Sequence, residues 1–284
     1  MRIANVDGRL KLLVHDGAVD VAAASNGRFD SNPARCFEQF GELRRWADGV
    51  DAALEAFAPE SAGPPSPAPR QVFGIGLNYV DHAAESGLDL PTAPLVFSKF
   101  LSSFAGATAN VALPKGSVDW EVEIVVLIGE HARAVAPARA WDVVAGLTVG
   151  QDLSERELQW SGPAPQFGLA KSYPGFSPMG PCLVTPDELS DPSDLELGCE
   201  LNGDSVQRGR SANMVFSVPE VVAYLSGIVS LLPGDVIFTG TPAGVGAGRR
   251  PPRFLRPGDV LRSWVEGIGA ITQTFVAEPP LEQD

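Results

Sequence analysis

SVDWEVEIVVLIG, residues 117–129, joins two tendencies that pull a strand in different directions. Ile124, Val125, Val126, Leu127 and Ile128 form a β-branched, apolar run of the kind a sheet buries on both faces. Just ahead of it stand three carboxylates spaced two apart, Asp119, Glu121 and Glu123. In one extended strand that spacing points all three to one face, with Trp120, Val122 and Ile124 on the other. The plain reading is a half-exposed strand with a solvated acidic face. Against it stands the direct entry into the core run. Three like charges on neighbouring positions also repel one another unless a cation neutralises them. A hard divalent cation suits such oxygen donors.

A further ligand has to come from elsewhere in the chain. The apolar run VVAGLTVG (143–150) ends at Gln151-Asp152, a strand terminus where sites tend to form. Arg156 and Gln159 lie four and seven residues beyond Asp152, so a short helix would place all three on one side. Taken alone, Asp152 reads as a helix N-cap.

The rest of the composition sets bounds. The 284 residues are 44% hydrophobic, enough for one large core or for a main domain with a smaller companion. A net charge of −14 repels nucleic acid and anionic membranes, so neither is an expected partner. No stretch approaches the roughly 20 apolar residues of a spanning helix. The first residues, MRIANVDGRLKLLV, are interrupted by Asp7 and Arg9 and lack the apolar region of a signal peptide. The cytoplasm is the expected compartment. Cys36, Cys182 and Cys199 show neither a disulfide framework nor zinc spacing and read as buried free thiols.

Along the chain, residues 1–24 read as short strands, with Asp-Gly turn signals at 7–8 and 16–17. Apolar spacing at Phe40, Leu43 and Trp46, then Leu54 and Phe57, predicts helices over 36–57. PESAGPPSPAPR (59–70) reads as a linker. The expected organisation is a small N-terminal domain, 1–68, and a catalytic domain, 69–284. The latter is rich in turns, with Pro-Gly pairs at 233–234 and 257–258 and an Asn-Gly hairpin at 202–203. A helix is predicted over 217–225, with Ser217 as N-cap and Pro219 in its first turn. The fold class is α+β and β-rich, without the long alternation of a doubly wound sheet or TIM barrel.

Familiar motifs fail. GIGLNY (74–79) has Tyr79 where a dinucleotide fingerprint needs its third glycine. TGTPAGVGAG (239–248) is not followed by the Gly-Lys-Ser/Thr of a P-loop, although such a loop can present backbone N–H groups to an anion. There is no Gly-x-Ser-x-Gly elbow, and only His15, His82 and His131 are available to a hydrolytic triad.

Eight separated segments, in order, resemble the fumarylacetoacetate hydrolase family, in its acylpyruvase and diketo-acid hydrolase branch. They are GLNYVDHAAESG (76–87), PLVFSKFLSSFAG (94–106), VDWEVEIVVLIG (118–129), QDLSERELQ (151–159), AKSYPGFSPMGP (170–181), LNGDSVQRGRSANM (201–214), LLPGDVIFTGTPAGVG (231–246) and PGDVLRSWVEGIG (257–269). The resemblance implies a mixed β-sandwich roll with a small β-rich N-terminal domain. It implies one Mg²⁺ or Mn²⁺ per subunit, held by Glu121, Glu123 and Asp152. Asp119 is left as an orienting or solvent-facing carboxylate.

The same resemblance makes His82, Glu85 and Lys171 catalytic. His82 and Glu85 form the pair of a segment that closes over the site as a short helix, and Lys171 reaches the oxygen at the metal. Arg156, Gln159 and Thr241 are implied to bind the substrate. Pro174 stands where the family usually has Asp. The implied activity is hydrolysis of a C–C bond in a 2,4-dioxo acid, an acylpyruvate- or fumarylacetoacetate-like compound, through an enolate held at the metal. The partner is a small keto acid and the assembly a homodimer. Oxaloacetate decarboxylation, keto–enol isomerisation or another catabolic lyase reaction, and non-catalytic keto-acid binding are the alternatives. The acyl pocket is expected around 88–94 and 161–166.

Overall fold

The computed structural model describes residues 1–15 and 17–278. Strands β1 (Arg2–Val6), β2 (Arg9–Val14) and β3 (Gly17–Asp20) form an antiparallel meander. Two short strands follow: β4 (Glu55–Ala56) pairs with β3, and β5 (Ala62–Gly63) with β1. Then come β6 (Val72–Gly76), β7 (Leu95–Ser98), β8 (Phe104–Ala105), β9 (Thr108–Leu113), β10 (Val118–Asp119) and β11 (Val122–Ile128). The middle of the chain supplies β12 (Val144–Gln151), β13 (Ser154–Glu155), β14 (Ser177–Val184), β15 (Glu196–Leu201) and β16 (Asp204–Arg210). Last are β17 (Val236–Phe238), β18 (Val260–Val265) and β19 (Gly269–Ala277).

A mixed 12-stranded sheet runs β4-β3-β2-β1-β14-β12-β11-β17-β6-β7, with β5 and β8 attached off that path. A 5-stranded sheet, β16-β15-β18-β19-β9, shares a core with it. Ile124, Val126, Leu147 and Val149 of the large sheet lie in one cluster with Leu197, Leu261, Ile271 and Phe275 of the small one. The fold is therefore the β-rich α+β sandwich expected.

The apolar run of β11 serves several interiors at once. Ile124, Val126 and Ile128 enter the inter-sheet core, and Val125 packs with Val72, Met179 and Phe238. Leu127 faces the N-terminal cluster of Ile3, Leu10, Leu12, Phe37 and Leu43. No face of β11 is free for solvent, which is why its sequence does not alternate. Each such side chain contributes about 2 kcal/mol of burial free energy, so the strand is a firm base for whatever its ends carry.

The turns follow local chemistry. Asp7 and Gly8, with φ 50° and 75°, close the β1–β2 hairpin as a two-residue loop, and Asn202 and Gly203 do the same between β15 and β16. Gly234 and Gly258 take φ 89° and 93° in the two Pro-Gly turns. The second Asp-Gly signal differs: Gly17 already pairs with Val14 as a strand residue, and Asp16 lies outside the described residues.

Helices are short: α1 (Phe40–Ala47), α2 (Val80–Ser86), α3 (Arg156–Gln159), α4 (Phe167–Ala170) and α5 (Val218–Ile228) are the ones the site or the core uses. At α5 the Glu220 carboxylate accepts from the Ser217 backbone N–H at 2.8 Å and from its hydroxyl at 2.6 Å, fixing the start the sequence predicted. The prediction over 36–57 holds only in part. Pro33–Gln39 is 3₁₀ and α1 is helical, but Leu54 is exposed beside the β4 edge strand. Edge pairing to β3 overrides the spacing of Leu54 and Phe57.

The Pro-rich segment 59–70 is packed rather than loose. Its β5 pairs with β1, and the buried Ser66 hydroxyl donates to Gly234 O at 2.7 Å. The N-terminal strands join the large sheet directly through β1 against β14. No helix among the described residues is long and apolar enough to cross a membrane. All three cysteines are free and buried, and burial pushes the Cys182 thiol up to about 11.

Candidate active site

The opening segment does not run as a single strand. β10 pairs with β13 and β11 with β12, and Trp120-Glu121 lies between the two ladders. The break is bridged by side chains: Gln151 Oε1 accepts from the Glu121 N–H at 2.8 Å, and the Asp152 N–H donates to Glu121 O at 2.9 Å. These bonds tie the end of β12 to the carboxylates ahead of β11. The ladder changes partner at Trp120, but the sides are kept: Trp120, Val122 and Ile124 enter one core cluster, while Asp119 and Glu121 share Arg156 and Glu121 lies beside Glu123.

Asp119 is fully buried. Its Oδ1 accepts from the N–H groups of Trp120 at 2.8 Å and Gly246 at 2.6 Å. Its Oδ2 accepts from Ala247 N–H at 3.0 Å and from Arg156 Nε and Nη2 at 2.9 and 2.8 Å. A solvent-facing Asp119 is excluded, and an orienting one matches the geometry. The same Arg156 Nη2 lies 2.8 Å from Glu121 Oε1. Burial disfavours the guanidinium charge, but Asp119 and Glu121 outweigh it and raise its pKa.

Glu121, Glu123 and Asp152 are buried, with ligand-capable oxygens all within 4.8 Å of one another. Lys171 Nζ sits 2.6 Å from Glu121 Oε2 and 2.7 Å from Asp152 Oδ2. Burial raises the Glu121 pKa, yet Lys171 and Arg156 overcome it and hold the group below the usual carboxylate range. Glu123 differs. Its bond at Oε2 comes from the Gly240 N–H at 2.8 Å, and no ion pair reaches it among the described residues. Burial and then the charges of Asp152 and Glu121 push its pKa well up. A buried carboxylate beside two others, with no ion pair of its own among the described residues, fits a site for a divalent cation, and the all-oxygen donor set suits a hard one.

Asp152 is not the cap of α3. Glu155 takes that place, accepting from the N–H groups of Glu157 at 3.1 Å and Leu158 at 2.7 Å. The capped turn leaves Arg156 and Gln159 on the site side, with Arg156 Nη1 donating to Gln159 Oε1 at 2.9 Å.

The helix α2 brings the remaining pair. His82 Nδ1 lies 2.8 Å from Glu85 Oε1, the i, i+3 geometry of one helical face. Glu85 also accepts from the Gly244 N–H, at 2.9 and 3.1 Å to its two oxygens. Gly244, at φ 109°, could not carry a side chain, because a Cβ would meet Val206 O at 2.2 Å. The amides of the glycine-rich loop thus serve the protein's own carboxylates: Gly240 holds Glu123, Gly244 holds Glu85, and Gly246 and Ala247 hold Asp119.

His82, Glu85, Glu121, Glu123, Asp152, Arg156, Gln159, Lys171 and Thr241 all line a single cleft of about 1190 Å³. The Thr241 hydroxyl donates to Val122 O and accepts from Gln207 Nε2, both at 2.8 Å.

Residues 71–276 match the family model of the fumarylacetoacetate (FAA) hydrolase C-terminal domain. The chain belongs to this family. Among solved structures it is similar to a Mycobacterium smegmatis protein provisionally named HpcE, at 55% identity and TM-score 0.95, covering 98% of this chain and 100% of that one. It is also similar to the 2-hydroxyhepta-2,4-diene-1,7-dioate isomerase of Mycobacterium marinum, at 34% identity and TM-score 0.66, over 77% and 78% of the two chains. A third is the maleylpyruvate hydrolase of Sphingobium sp. SYK-6 in complex with manganese(II) and pyruvate, at 28% identity and TM-score 0.80, over 98% and 100%. Enzymes of this fumarylacetoacetate hydrolase family thus include hydrolases and isomerases.

Sequence reasoning missed Lys99. Its side chain is fully buried, pairs with Asp152 Oδ1 and donates to Lys171 O at 2.5 Å, so one lysine positions the carboxylate that another touches. Burial lowers its pKa despite Asp152. The available signal was a lysine in an otherwise apolar VFSKF. Of the segments expected to shape the acyl pocket, Leu88, Pro165 and Gln166 line the cleft, together with Leu95–Ser98, Trp160, Phe167 and Leu169.

Proposed function

We propose that the chain is a metal-dependent hydrolase that cleaves the C–C bond between the carbonyl groups of a 2,4-dioxo acid. The observation that carries this reading is the His82–Glu85 pair, pinned by the Gly244 amide in the same cleft as Glu121, Glu123 and Asp152. Those three carboxylates would hold one Mg²⁺ or Mn²⁺ per subunit, which supplies Lewis acidity toward the substrate's keto oxygen.

The remaining work falls to the chain's own groups. Glu85 at Nδ1 makes Nε2 of His82 the basic nitrogen, fit to take a proton from water. The water oxygen bonds to the distal carbonyl carbon. The bond to the adjacent methylene carbon then breaks, and its electron pair leaves as an enolate. A proton returned to that carbon yields a 2-keto acid and a carboxylic acid. Lys171 spends two of its three N–H donors on Glu121 and Asp152, leaving one for a developing negative oxygen. Arg156 has one Nη1 N–H beyond its bonds to Asp119, Glu121 and Gln159, suited to the substrate's carboxylate.

A second reading, keto–enol isomerisation, draws support from the likeness to the Mycobacterium marinum isomerase. NMR of the products formed from a panel of keto acids, with Mg²⁺ and with EDTA, separates the cases. Hydrolysis gives two products, isomerisation one of unchanged mass, and decarboxylation of oxaloacetate gives pyruvate. Hydrolysis that persists after rigorous metal removal would sink the proposal. Metal-dependent oxalate binding without any turnover would favour a keto-acid-binding role. The reading carries with it a cytoplasmic homodimer, whose mass light scattering would measure.

A further inference from the structure

The cleft is polar at one end only. Among the described residues its lining holds two permanent cations, Arg156 and Lys171, and both are engaged with the carboxylate cluster. Outward from Lys171 the wall is aromatic. Lys171 Nζ lies 5.3 Å from the centroid of the Phe97 ring. Phe97 meets Phe167 edge to face at 5.6 Å and 70°, and Phe167 meets Trp160 at 6.1 Å and 68°. Leu88, Leu95 and Leu169 line the same cleft.

This outer wall is open to solvent, with Trp160 54% and Leu169 65% exposed. Its side-chain polar groups are neutral: Ser86, Ser98 and Gln166. Arg249, next to the lining residue Gly248, is not itself part of the lining. It lies over the Trp120 ring at 5.6 Å and donates to Val206 O at 3.0 Å.

We infer that the acyl end of the substrate is uncharged and apolar, with an aryl ring as its best fit, and that dicarboxylic substrates are discriminated against. A second carboxylate along this wall would give up hydration without meeting a cation. A ring there would join a chain of edge-to-face aromatic contacts and remove exposed apolar surface from water. This inference rests on the 2,4-dioxo-acid reading for the head of the substrate, whose carboxylate and keto groups occupy the polar end.

The test compares three acids with the same head: benzoylpyruvate, acetylpyruvate and succinylpyruvate, the last ending in a carboxylate. Dissociation constants with Mg²⁺ are measured by calorimetry and kcat/KM by loss of enol absorbance. The benzoyl compound is expected to show a dissociation constant about tenfold or more below that of the succinyl compound, and a kcat/KM about tenfold or more above it. Trp160→Ala should narrow the benzoyl-to-acetyl ratio severalfold. Equal constants for all three tails, preference for the succinyl tail, or no binding of the benzoyl compound would overturn the inference. The calorimetric ranking does not depend on the reaction. If the ranking holds while no C–C bond is cleaved, the hydrolase reading falls and the apolar tail stands.

Discussion

The two ends of the cleft are built on opposite principles. At the inner end Asp119, Glu121, Asp152, Arg156, Lys171 and Lys99 are held by several bonds each, all of them at least largely buried. At the outer end Trp160, Leu169 and Phe100 are more than half exposed and make no polar bond through their side chains. A low dielectric magnifies charge at the inner end, so geometry there has to be over-determined. The inferred recognition at the outer end is by area, which tolerates looser placement. The contrast predicts steep effects inside and shallow ones outside.

The largest effect should follow removal of the metal. Chelation, or Glu123→Gln, is expected to lower kcat/KM about a thousandfold, several kcal/mol of transition-state stabilisation. Readdition of Mn²⁺ should restore the chelated enzyme and not the variant. Activity unaffected by both would break the inner half of the comparison.

His82→Ala should come next, with hydrolysis falling about a hundredfold to ten-thousandfold. Any oxaloacetate decarboxylation should fall less, since it needs no activated water. Equal losses in the two reactions, followed side by side, would deny His82 its role as base.

Lys99→Met tests whether the inner network is structural as well. Breaking a buried pair leaves Asp152 with one fewer cation, at a cost of about 3 kcal/mol in stability. Urea denaturation of the chelated protein reads this directly. A change under 1 kcal/mol would mean that the network is less tightly determined than its geometry indicates.

Asp119→Asn keeps the shape and removes the charge that Arg156 leans on. KM should rise about tenfold with a smaller change in kcat, because Arg156 is a substrate contact in the proposed mechanism. Steady-state kinetics separate the two constants, and a fall confined to kcat would place Asp119 in the chemistry. At the outer end Leu169→Ala should cost only about twofold in affinity for an apolar tail, and calorimetry with benzoylpyruvate would show it.

The carboxylates were legible because their signal is local. Glu121 and Glu123 stand two apart beside a core run, and Asp152 ends the next strand. His82 and Glu85 gained meaning only from family resemblance, since a histidine three residues from a glutamate is common by itself. Asp119 looked interchangeable with its neighbours, because the Gly246 and Ala247 amides that hold it lie more than 120 residues away. Lys99 was hidden for the same reason: a lysine ending a short strand usually points to water, and only the fold brings Asp152 to it.

By itself the sequence determined the β-rich class, the hairpins at Asp7-Gly8 and Asn202-Gly203, the capped start of α5 and a candidate set of acidic ligands. Each rests on turn chemistry or periodicity within a few residues. Tertiary structure alone decided that Trp120-Glu121 breaks the strand, that Glu155 rather than Asp152 caps α3, and that glycine-loop amides serve protein carboxylates. It also assembled Phe97, Phe167 and Trp160 into one wall. Those outcomes depend on which distant groups compete for each donor and acceptor, and that competition exists only once the sheets have packed.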